Sequence, residues 1–352
     1  MPSFSELGLG EKVLKAVAAL GFQQPTPIQQ QAIPLLLSET TDLVALAQTG
    51  TGKTAAFGLP LINRLDFSGR DPQALVLAPT RELCVQISND LAKFAQFEHG
   101  ANIVPVYGGA SISTQIRAIK QGAHIIVATP GRLIDMIGRK AIRLNNINVV
   151  VLDEADEMLN MGFQEDIEEI LSHTPEEKNT WLFSATMPSE IRNIAEQFMR
   201  NPQELVMGRQ NDAADNLEHH YYVIHERDRY PALKRLLDAS PELFAVVFCR
   251  TKMDTQKVAE QLIRDGYNAD ALHGDLSQQQ RDKVMDRYRQ RSLQVLVATD
   301  VAARGIDVSD ITHVIHYHLP DEIENYTHRS GRTARAGKSG LSLSLVNIRD
   351  QD

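Results

Sequence analysis

The sequence predicts two α/β domains in series, each a mostly parallel β-sheet flanked by helices. Three observations carry this expectation. The chain has 352 residues, enough for two cores of ordinary size. Short β-branched runs alternate with longer amphipathic segments, which is the β-α-β pattern of a parallel sheet. The alternation stops at a polar, aperiodic stretch, Gly208 to Asn216, and then restarts. Residues 1–207 are therefore assigned to a first domain, 208–217 to a linker and 218–352 to a second domain.

In chain order, the strand-like runs of the first domain are Leu43 to Leu46, Ala74 to Ala78, Ile103 to Tyr107, Ile125 to Ala128, Val149 to Leu152, Trp181 to Phe183 and Leu205 to Met207. Amphipathic segments such as Arg81 to Phe94 and Phe163 to Leu171 separate them, and a helix is expected over Ala55 to Leu65. The second domain reads as a strand at Tyr221 to Ile224, a helix around Tyr230 to Leu237, a strand at Ala245 to Cys249, and a helix from Lys252 to Arg264. A strand at Ala269 to Leu272, a helix from Gln278 to Tyr288, and strands at Val295 to Ala298, Val314 to Tyr317 and Leu341 to Val346 complete it. The halves echo each other. Tyr107-Gly108-Gly109 resembles Leu272-His273-Gly274, and Ile126 to Arg132 resembles Leu296 to Asp300; a duplicated α/β unit would explain the echoes, as would coincidence among short strand ends.

Hydrophobic residues make up 43% and charged residues 23%, the composition of a globular protein. No apolar run reaches membrane-spanning length, and Met1 to Glu11 lacks a basic region followed by an apolar core, so a cytoplasmic protein with no membrane partner is expected. Cys84 and Cys249 stand alone in apolar segments, without the spacing of a zinc or redox site. The net charge of −9 is uneven: from Glu218 onward there are 19 Lys and Arg against 20 Asp and Glu, leaving the first half near −8. A polyanionic partner must therefore use a local groove rather than a general basic surface.

Two strand-end motifs carry the chemistry. In Ala47-Gln48-Thr49-Gly50-Thr51-Gly52-Lys53-Thr54, small residues let successive backbone N–H groups face phosphate oxygens, and the following helix adds its positive end. Lys53 is expected on the β and γ phosphates and Thr54 on Mg²⁺. The generic pattern opens with Gly, where this chain has Ala47. Asp153-Glu154-Ala155-Asp156 directly follows Val149 to Leu152, which sets carboxylates at a sheet rim where Asp153 can hold Mg²⁺ and Glu154 can orient or deprotonate a water. Ser184-Ala185-Thr186 also closes a strand, so its hydroxyls can bond back to the acidic loop.

Further motifs occur in a fixed order: Gly21 to Gln29 before the phosphate loop, then Pro79-Thr80-Arg81-Glu82-Leu83, Thr129-Pro130-Gly131-Arg132, Asp153 to Asp156, Ser184 to Thr186, and His328 to Gly337. The set resembles the DEAD-box ATP-dependent RNA helicases of superfamily two, bacterial in type, over essentially the whole chain. The resemblance implies two tandem RecA-like domains, ATP and Mg²⁺ as cofactors, and RNA-stimulated ATP hydrolysis coupled to local unwinding or ribonucleoprotein remodelling. It implies nucleotide contacts for Phe4, Phe22, Gln29, Thr49, Gly50, Thr51, Gly52, Lys53, Thr54 and, from the second domain, Asp307. A Gln amide can accept from adenine N6–H₂ and donate to N7, whereas guanine O6 would face it acceptor to acceptor.

By the same resemblance Arg332 and Arg335 are arginine fingers, with Ala334 where the family often has Gly, and Asp156, Ser184, Thr186, His328 and Arg329 serve coupling. RNA contacts fall to Pro79, Thr80, Arg81, Gly109, Thr129, Gly131 and Arg132 in the first domain. In the second they fall to Arg250, Thr251, Gly274, Gln278, Arg281, Thr299 and Asp300. Many of these are small or uncharged, which suits sequence-independent contact with phosphates and 2′-hydroxyls. The core is expected to be monomeric, with ribosomal or other ribonucleoprotein partners reached through a C-terminal tail beyond Asp352. Ribosome assembly, RNA turnover and cold adaptation stay open as roles.

Two rival readings are a DNA-translocating enzyme of the same superfamily and a non-hydrolytic RNA clamp. The glutamine motif and the acidic tetrapeptide oppose the first; the presence of Lys53, Glu154, Arg332 and Arg335 opposes the second. Blander assignments go to His313, His316 and His318, whose strand parity puts the first on the opposite face, and to Arg287, Arg289 and Arg291, expected in solvent at a helix end. Met158 and Met161 are expected to pack beneath the acidic loop.

Overall fold

The computed structural model describes residues 3–37, 42–48, 50–207, 216–240, 242–303, 308, 310–334 and 338–348. The chain forms two compact units, residues 1–208 and 209–352. The first contains α1 (Glu11–Ala19), α2 (Pro27–Leu36), β1 (Leu43–Leu46), α3 (Lys53–Arg64), β2 (Ala74–Leu77), α4 (Arg81–Phe94), β3 (Ile103–Val106) and α5 (Ile112–Lys120). It continues with β4 (Ile125–Ala128), α6 (Pro130–Gly138), β5 (Val149–Asp153), α7 (Ala155–Asn160), α8 (Gln164–Ser172), β6 (Asn179–Ser184), α9 (Ser189–Phe198) and β7 (Gln203–Val206). The strands pair in the order β3-β4-β2-β5-β6-β1-β7, every pair parallel.

Side chains alternate across this sheet with the period of a strand. Ala45, Val76, Val127, Val151 and Phe183 join one apolar layer; Val44, Leu75, Ile126, Val150 and Leu182 join the other. Both faces are covered, so the strands read as continuous apolar runs rather than as alternating ones. Asp42 fixes the near end of two strands: its carboxylate accepts from the backbone N–H of Thr180 at 2.9 Å and of Arg200 at 2.6 Å.

The second unit contains β8 (Leu217–Ile224), α10 (Arg229–Ala239), β9 (Ala245–Phe248), α11 (Lys252–Arg264), β10 (Ala269–Leu272) and α12 (Gln278–Arg289), followed by β11 (Val295–Ala298), α13 (Asp300–Ala303), β12 (His313–His316), α14 (Ile323–Ser330) and β13 (Gly340–Asn347). Its order is β10-β11-β9-β12-β13-β8, again all parallel. Counted from the start of each unit, both sheets run third, fourth, second, fifth, sixth, first, and the first sheet adds its seventh strand beyond the first. The two sequence echoes fall on equivalent strands, after the third (β3 and β10) and the fourth (β4 and β11).

Several element ends differ from the sequence expectation. The expected linker included Leu217, yet this residue opens β8 by pairing with Gly340, and the strand expected from Tyr221 starts four residues earlier. Leu217 to His220 carries little apolar signal; a tertiary ladder decides it. The strand expected at Leu205 to Met207 is Gln203–Val206, because a sheet edge tolerates polar side chains. The helix expected over Ala55 to Leu65 starts at Lys53 and ends at Arg64, and the strand expected from Trp181 starts at Asn179. Arg287, Arg289 and Arg291 do not simply face solvent: each reaches a carboxylate, Asp270 at 2.6 Å, Asp286 at 3.3 Å and Asp310 at 2.8 Å.

The three histidines have separate partners. His313 Nδ1 lies 2.7 Å from Thr312 Oγ1, and His318 Nδ1 accepts from Arg250 N–H at 3.2 Å. His316 is buried, bonded through Nε2 to Ser330 and Ser342 and stacked on Tyr326 at 4.5 Å. Burial, aided by the charges of Arg329 and His219, pushes its imidazole down to about 3. In an unfolded chain it titrates near pH 6.5. The neutral ring therefore contributes stability that is present above pH ~6.5 and lost as pH falls toward 3, at about 1.4 kcal/mol per pH unit per proton. Urea titrations of the second unit between pH 7 and pH 5 should show this slope, followed by far-UV circular dichroism because the single tryptophan, Trp181, reports the first unit. His316→Asn should reduce the slope by about one proton, while burial of His313 and His318 maintains the remainder in the same direction. An unchanged slope would count against His316 as the group.

Candidate active site

The phosphate loop leaves β1 and turns on two left-handed glycines, Gly50 (φ +82°) and Gly52 (φ +91°), the second capping α3. Thr51 Oγ1 donates to Gln48 O at 2.8 Å and holds the loop closed. A Cβ at Gly52 would lie 2.5 Å from Gln29 Nε2, so both backbone twist and space require glycine. Thr49 lies outside the described residues. Gln29, buried on α2, accepts at Oε1 from Thr26 N–H (3.0 Å) and donates from Nε2 to Gly52 O (3.1 Å). These bonds fix which end of the amide is oxygen while leaving one lone pair and one N–H. Phe22 stacks on Phe4 at 6.2 Å and meets Phe94 edge-on at 6.4 Å.

Lys53 opens α3, and Thr54 follows it. The Lys53 ammonium is buried, lies 3.9 Å from Asp153 Oδ1 and makes no hydrogen bond among the described residues. Asp153 ends β5 between β2 and β6, with burial the main force pushing its carboxyl up to about 6; Lys53 opposes that rise and Glu154 adds to it. Glu154 adopts φ +52°, a left-handed conformation for a residue with a side chain, and donates its N–H to Asp153 Oδ1 at 3.0 Å. Its Oε2 is buried without a hydrogen bond among the described residues.

An unbonded ammonium, an unbonded carboxylate oxygen and a carboxyl with a raised pKa thus meet at one strand end. The set fits a phosphate chain for Lys53 and a divalent cation for Asp153 and Thr54. No cluster of three or more His, Cys, Asp or Glu that could hold a metal exists among the described residues.

Asp156 ties this loop to the end of β6. Its N–H donates to Ser184 Oγ at 3.3 Å, and its Oδ2 accepts from Ala185 N–H (3.2 Å), Thr186 N–H (3.0 Å) and Thr186 Oγ1 (3.0 Å). Met158 is fully buried beneath it in the second apolar layer, with Met161 half-buried at the end of α7.

Strand order sorts the remaining residues of the first unit. The nucleotide motifs follow β5, β6 and β1, which are neighbours; Pro79 to Arg81, Gly109 and Thr129 to Arg132 follow β2, β3 and β4, the adjoining neighbours. Thr80 caps α4 by accepting from Leu83 N–H at 3.2 Å. The Arg81 guanidinium lies 4.8 Å over Tyr107, and Arg132 donates to Ala110 O and Gln115 Oε1, both at 3.1 Å. Tyr107 and Gln115 were not singled out from sequence as supports for these arginines; they come from elements well separated in the chain, and no local pattern marks them.

The second unit repeats the sorting: Arg250 and Thr251 follow β9, Gly274, Gln278 and Arg281 follow β10, and Thr299 and Asp300 follow β11. Thr251 caps α11 as Thr80 caps α4, accepting from Asp254 N–H at 3.1 Å. Gln278 Nε2 donates to Asp282 at 2.8 Å. Arg329, buried on α14, makes a bidentate pair with Asp300 at 2.5 and 2.6 Å and donates to His318 O at 2.7 Å. An expected coupling residue thereby holds an expected RNA residue. Arg332 is buried and donates from Nε to His328 O at 3.3 Å. Asp307 and Arg335 lie outside the described residues.

Comparison with known proteins identifies the family and the fold. The DEAD/DEAH box helicase family model matches residues 26–194, and the helicase conserved C-terminal domain model matches 228–337. The chain is 48% identical over 350 residues to the DEAD-box ATP-dependent RNA helicase CshA of Geobacillus kaustophilus, covering 99% of this chain and 74% of that protein. Among solved structures it is similar to S. cerevisiae Dbp5 bound to RNA and ADP BeF3 (TM-score 0.89, 32% identity, 99% of this chain and 90% of that one). It is also similar to Mss116p bound to ssRNA and AMP-PNP (TM-score 0.89, 29% identity, 99% and 75%).

Ala334 stands two residues after Arg332 at φ +56°. The left-handed backbone costs a residue with a Cβ about 1–2 kcal/mol, and glycine returns part of that gain through its freer unfolded chain. Ala334→Gly should therefore stabilise the second unit by about 0.5 kcal/mol, and Ala334→Val, β-branched at the same φ, should destabilise it by about 2 kcal/mol. Chemical denaturation of the two variants checks the order; a less stable glycine variant would refute the strain.

Proposed function

The chain belongs to the DEAD/DEAH box helicase family, and from that premise we propose that it is an RNA-stimulated ATPase that separates short RNA duplexes or remodels ribonucleoprotein. The observation that carries this reading is the juxtaposition of Lys53, Asp153 and Glu154, a site whose charges are complete only with a nucleotide and its cation. Lys53 and the backbone N–H groups after Gly50 bind the phosphates. Thr54 and Asp153 hold Mg²⁺, which when bound neutralises charge on the phosphate oxygens. Glu154 orients the attacking water and accepts its proton, and the left-handed turn at its own Cα aims it. Gln29, with Phe22 beside it, reads adenine.

Arg332 and Arg335 supply further positive charge to the phosphates during hydrolysis. Arginines in that role contribute about 10³ to 10⁵ in rate, so turnover depends on the second unit as well as the first, and RNA governs it by favouring the state in which both act. The RNA contacts named above bind backbone rather than bases, which makes the enzyme indifferent to sequence. The RNA-bound states of Dbp5 and Mss116p support RNA as the partner. A monomeric core working in the cytoplasm is part of the same proposal, consistent with two buried, unpaired cysteines, the Cys84 thiol being pushed up to about 12 by burial. Ribonucleoprotein partners beyond the core are proposed on the resemblance alone.

Glu154→Gln should retain ATP and RNA binding while RNA-stimulated turnover falls about 10² to 10⁴-fold; turnover equal to wild type would remove Glu154 from the role of base. ATP should exceed GTP in kcat/KM by roughly 10- to 100-fold, the effect of one mismatched bidentate contact of about 1–3 kcal/mol. Equal use of the two nucleotides would sink the assignment of Gln29. Single-stranded RNA should activate the ATPase where DNA of the same sequence does not.

A further inference from the structure

The segments that feed β2, β4 and β5 from their amino ends enclose a cleft of about 510 Å³ on the first unit, at the opposite edge of the sheet from the motifs. Arg70, Lys120, Lys140 and Arg143 line it; all four are exposed, and among the described residues none has an ion-pair partner. The one carboxylate in its lining, Asp71, accepts from Asn146 Nδ2 at 3.1 Å. Some other cations of this unit are neutralised, as Arg139 is by Asp135 at 2.7 Å and Lys12 by Glu98 at 2.8 Å, so what sets the cleft apart is that four cations gather in one place. Lys120 and Lys140 follow or end helices whose carbonyl ends absorb part of their charge, but Arg70 and Arg143 lie outside any helix. Lys140 also holds φ +54° just past α6, where glycine is the residue of least cost. A cation is thus kept where the backbone favours none. In a half of the chain near −8, this cluster runs against the overall charge.

We propose that this cleft is a second RNA-phosphate site, which holds the RNA where it continues beyond the motif edge. The inference rests on RNA being the partner at that edge. Strands β2 and β4 link the two sites directly, each four residues long and so spanning only about 13 Å. RNA bound at one edge is therefore presented to the other at high effective concentration, an advantage that a separate acidic protein lacks. Among the described residues no aromatic ring lines the cleft, so the contact is with phosphates and not with stacked bases.

The test compares wild type with a quadruple variant, Arg70→Gln, Lys120→Gln, Lys140→Asn and Arg143→Gln, asparagine being chosen because it tolerates the left-handed backbone. Binding is read by fluorescence anisotropy of labelled oligouridylates of about 8 and about 30 nucleotides, the shorter sized to the motif edge alone. The variant should bind the short RNA and respond to it in ATPase assays as wild type does. With the long RNA it should lose about tenfold in affinity at low salt, and its slope of log K against log salt should shrink by about 3, near 0.7 for each of four lost contacts. Unchanged affinity and slope for the long RNA would overturn the proposal. Loss of binding to polyglutamate with RNA binding intact would overturn it in favour of an acidic protein partner. Failure of wild type to bind the short RNA would instead strike the RNA reading itself, and the inference with it.

Discussion

The parallel direction of every paired strand is the constraint on which the rest depends. In a parallel sheet all carboxyl ends emerge at one edge, so each strand-to-helix turn delivers its residues to the same rim. Residues 52, 80, 109, 129, 153 and 184 of the first unit, far apart in sequence, become neighbours by strand position. The order β3-β4-β2-β5-β6-β1 then divides that rim, with the proposed nucleotide residues over one run of three strands and the proposed RNA residues over the adjoining run. The second unit keeps this order, and its proposed RNA residues follow its own second, third and fourth strands. A duplicated topology explains why threonines cap the helix after the second strand in both units.

The charges at the two rims are in different states. Arg329 is fully engaged, with a bidentate carboxylate and a backbone carbonyl, so its work is structural positioning of Asp300 and of the loop around His318. Lys53 and Glu154 are buried with no hydrogen bond, among the described residues, on the ammonium and on Oε2, and the buried Asp153 carboxylate lies 3.9 Å from the ammonium and accepts the Glu154 N–H. Burying such groups is costly, and the cost falls when a ligand of complementary charge enters. The strained backbone at Glu154 belongs to the same pattern, in which local strain is held by the surrounding fold to aim a side chain. Asp156, by contrast, is saturated by the segment after β6, which makes it the mechanical link between two motifs rather than a reactive group.

Much of this was legible in the sequence, because the motifs sit where a strand's periodicity breaks into small or charged residues. Val149 to Asp153 and Leu43 to Thr54 announce both their strand and their turn. Gln29 could be named as an adenine reader from the resemblance, but its bond to Gly52 could not, since the two are brought together only by packing of α2 on α3. Leu217 to His220 shows the opposite limit: the segment has too little apolar character to declare a strand, and pairing with β13 makes it one. Tyr107 beneath Arg81 and Gln115 against Arg132 were invisible for the same reason, as each contact joins separate elements.

The sequence by itself determined the fold class, the two-unit organisation and the residue types of the candidate nucleotide site, because these rest on local periodicity and short motifs. The tertiary structure alone decided which motifs share a rim, which carboxylates are saturated and which remain available, and where four cations without an ion pair among the described residues gather at the amino edge of the sheet. The physical reason is that strand order and burial are set by long-range packing. A residue's charge is written in the chain, but its partner and its distance from water are fixed only when the strands are laid side by side.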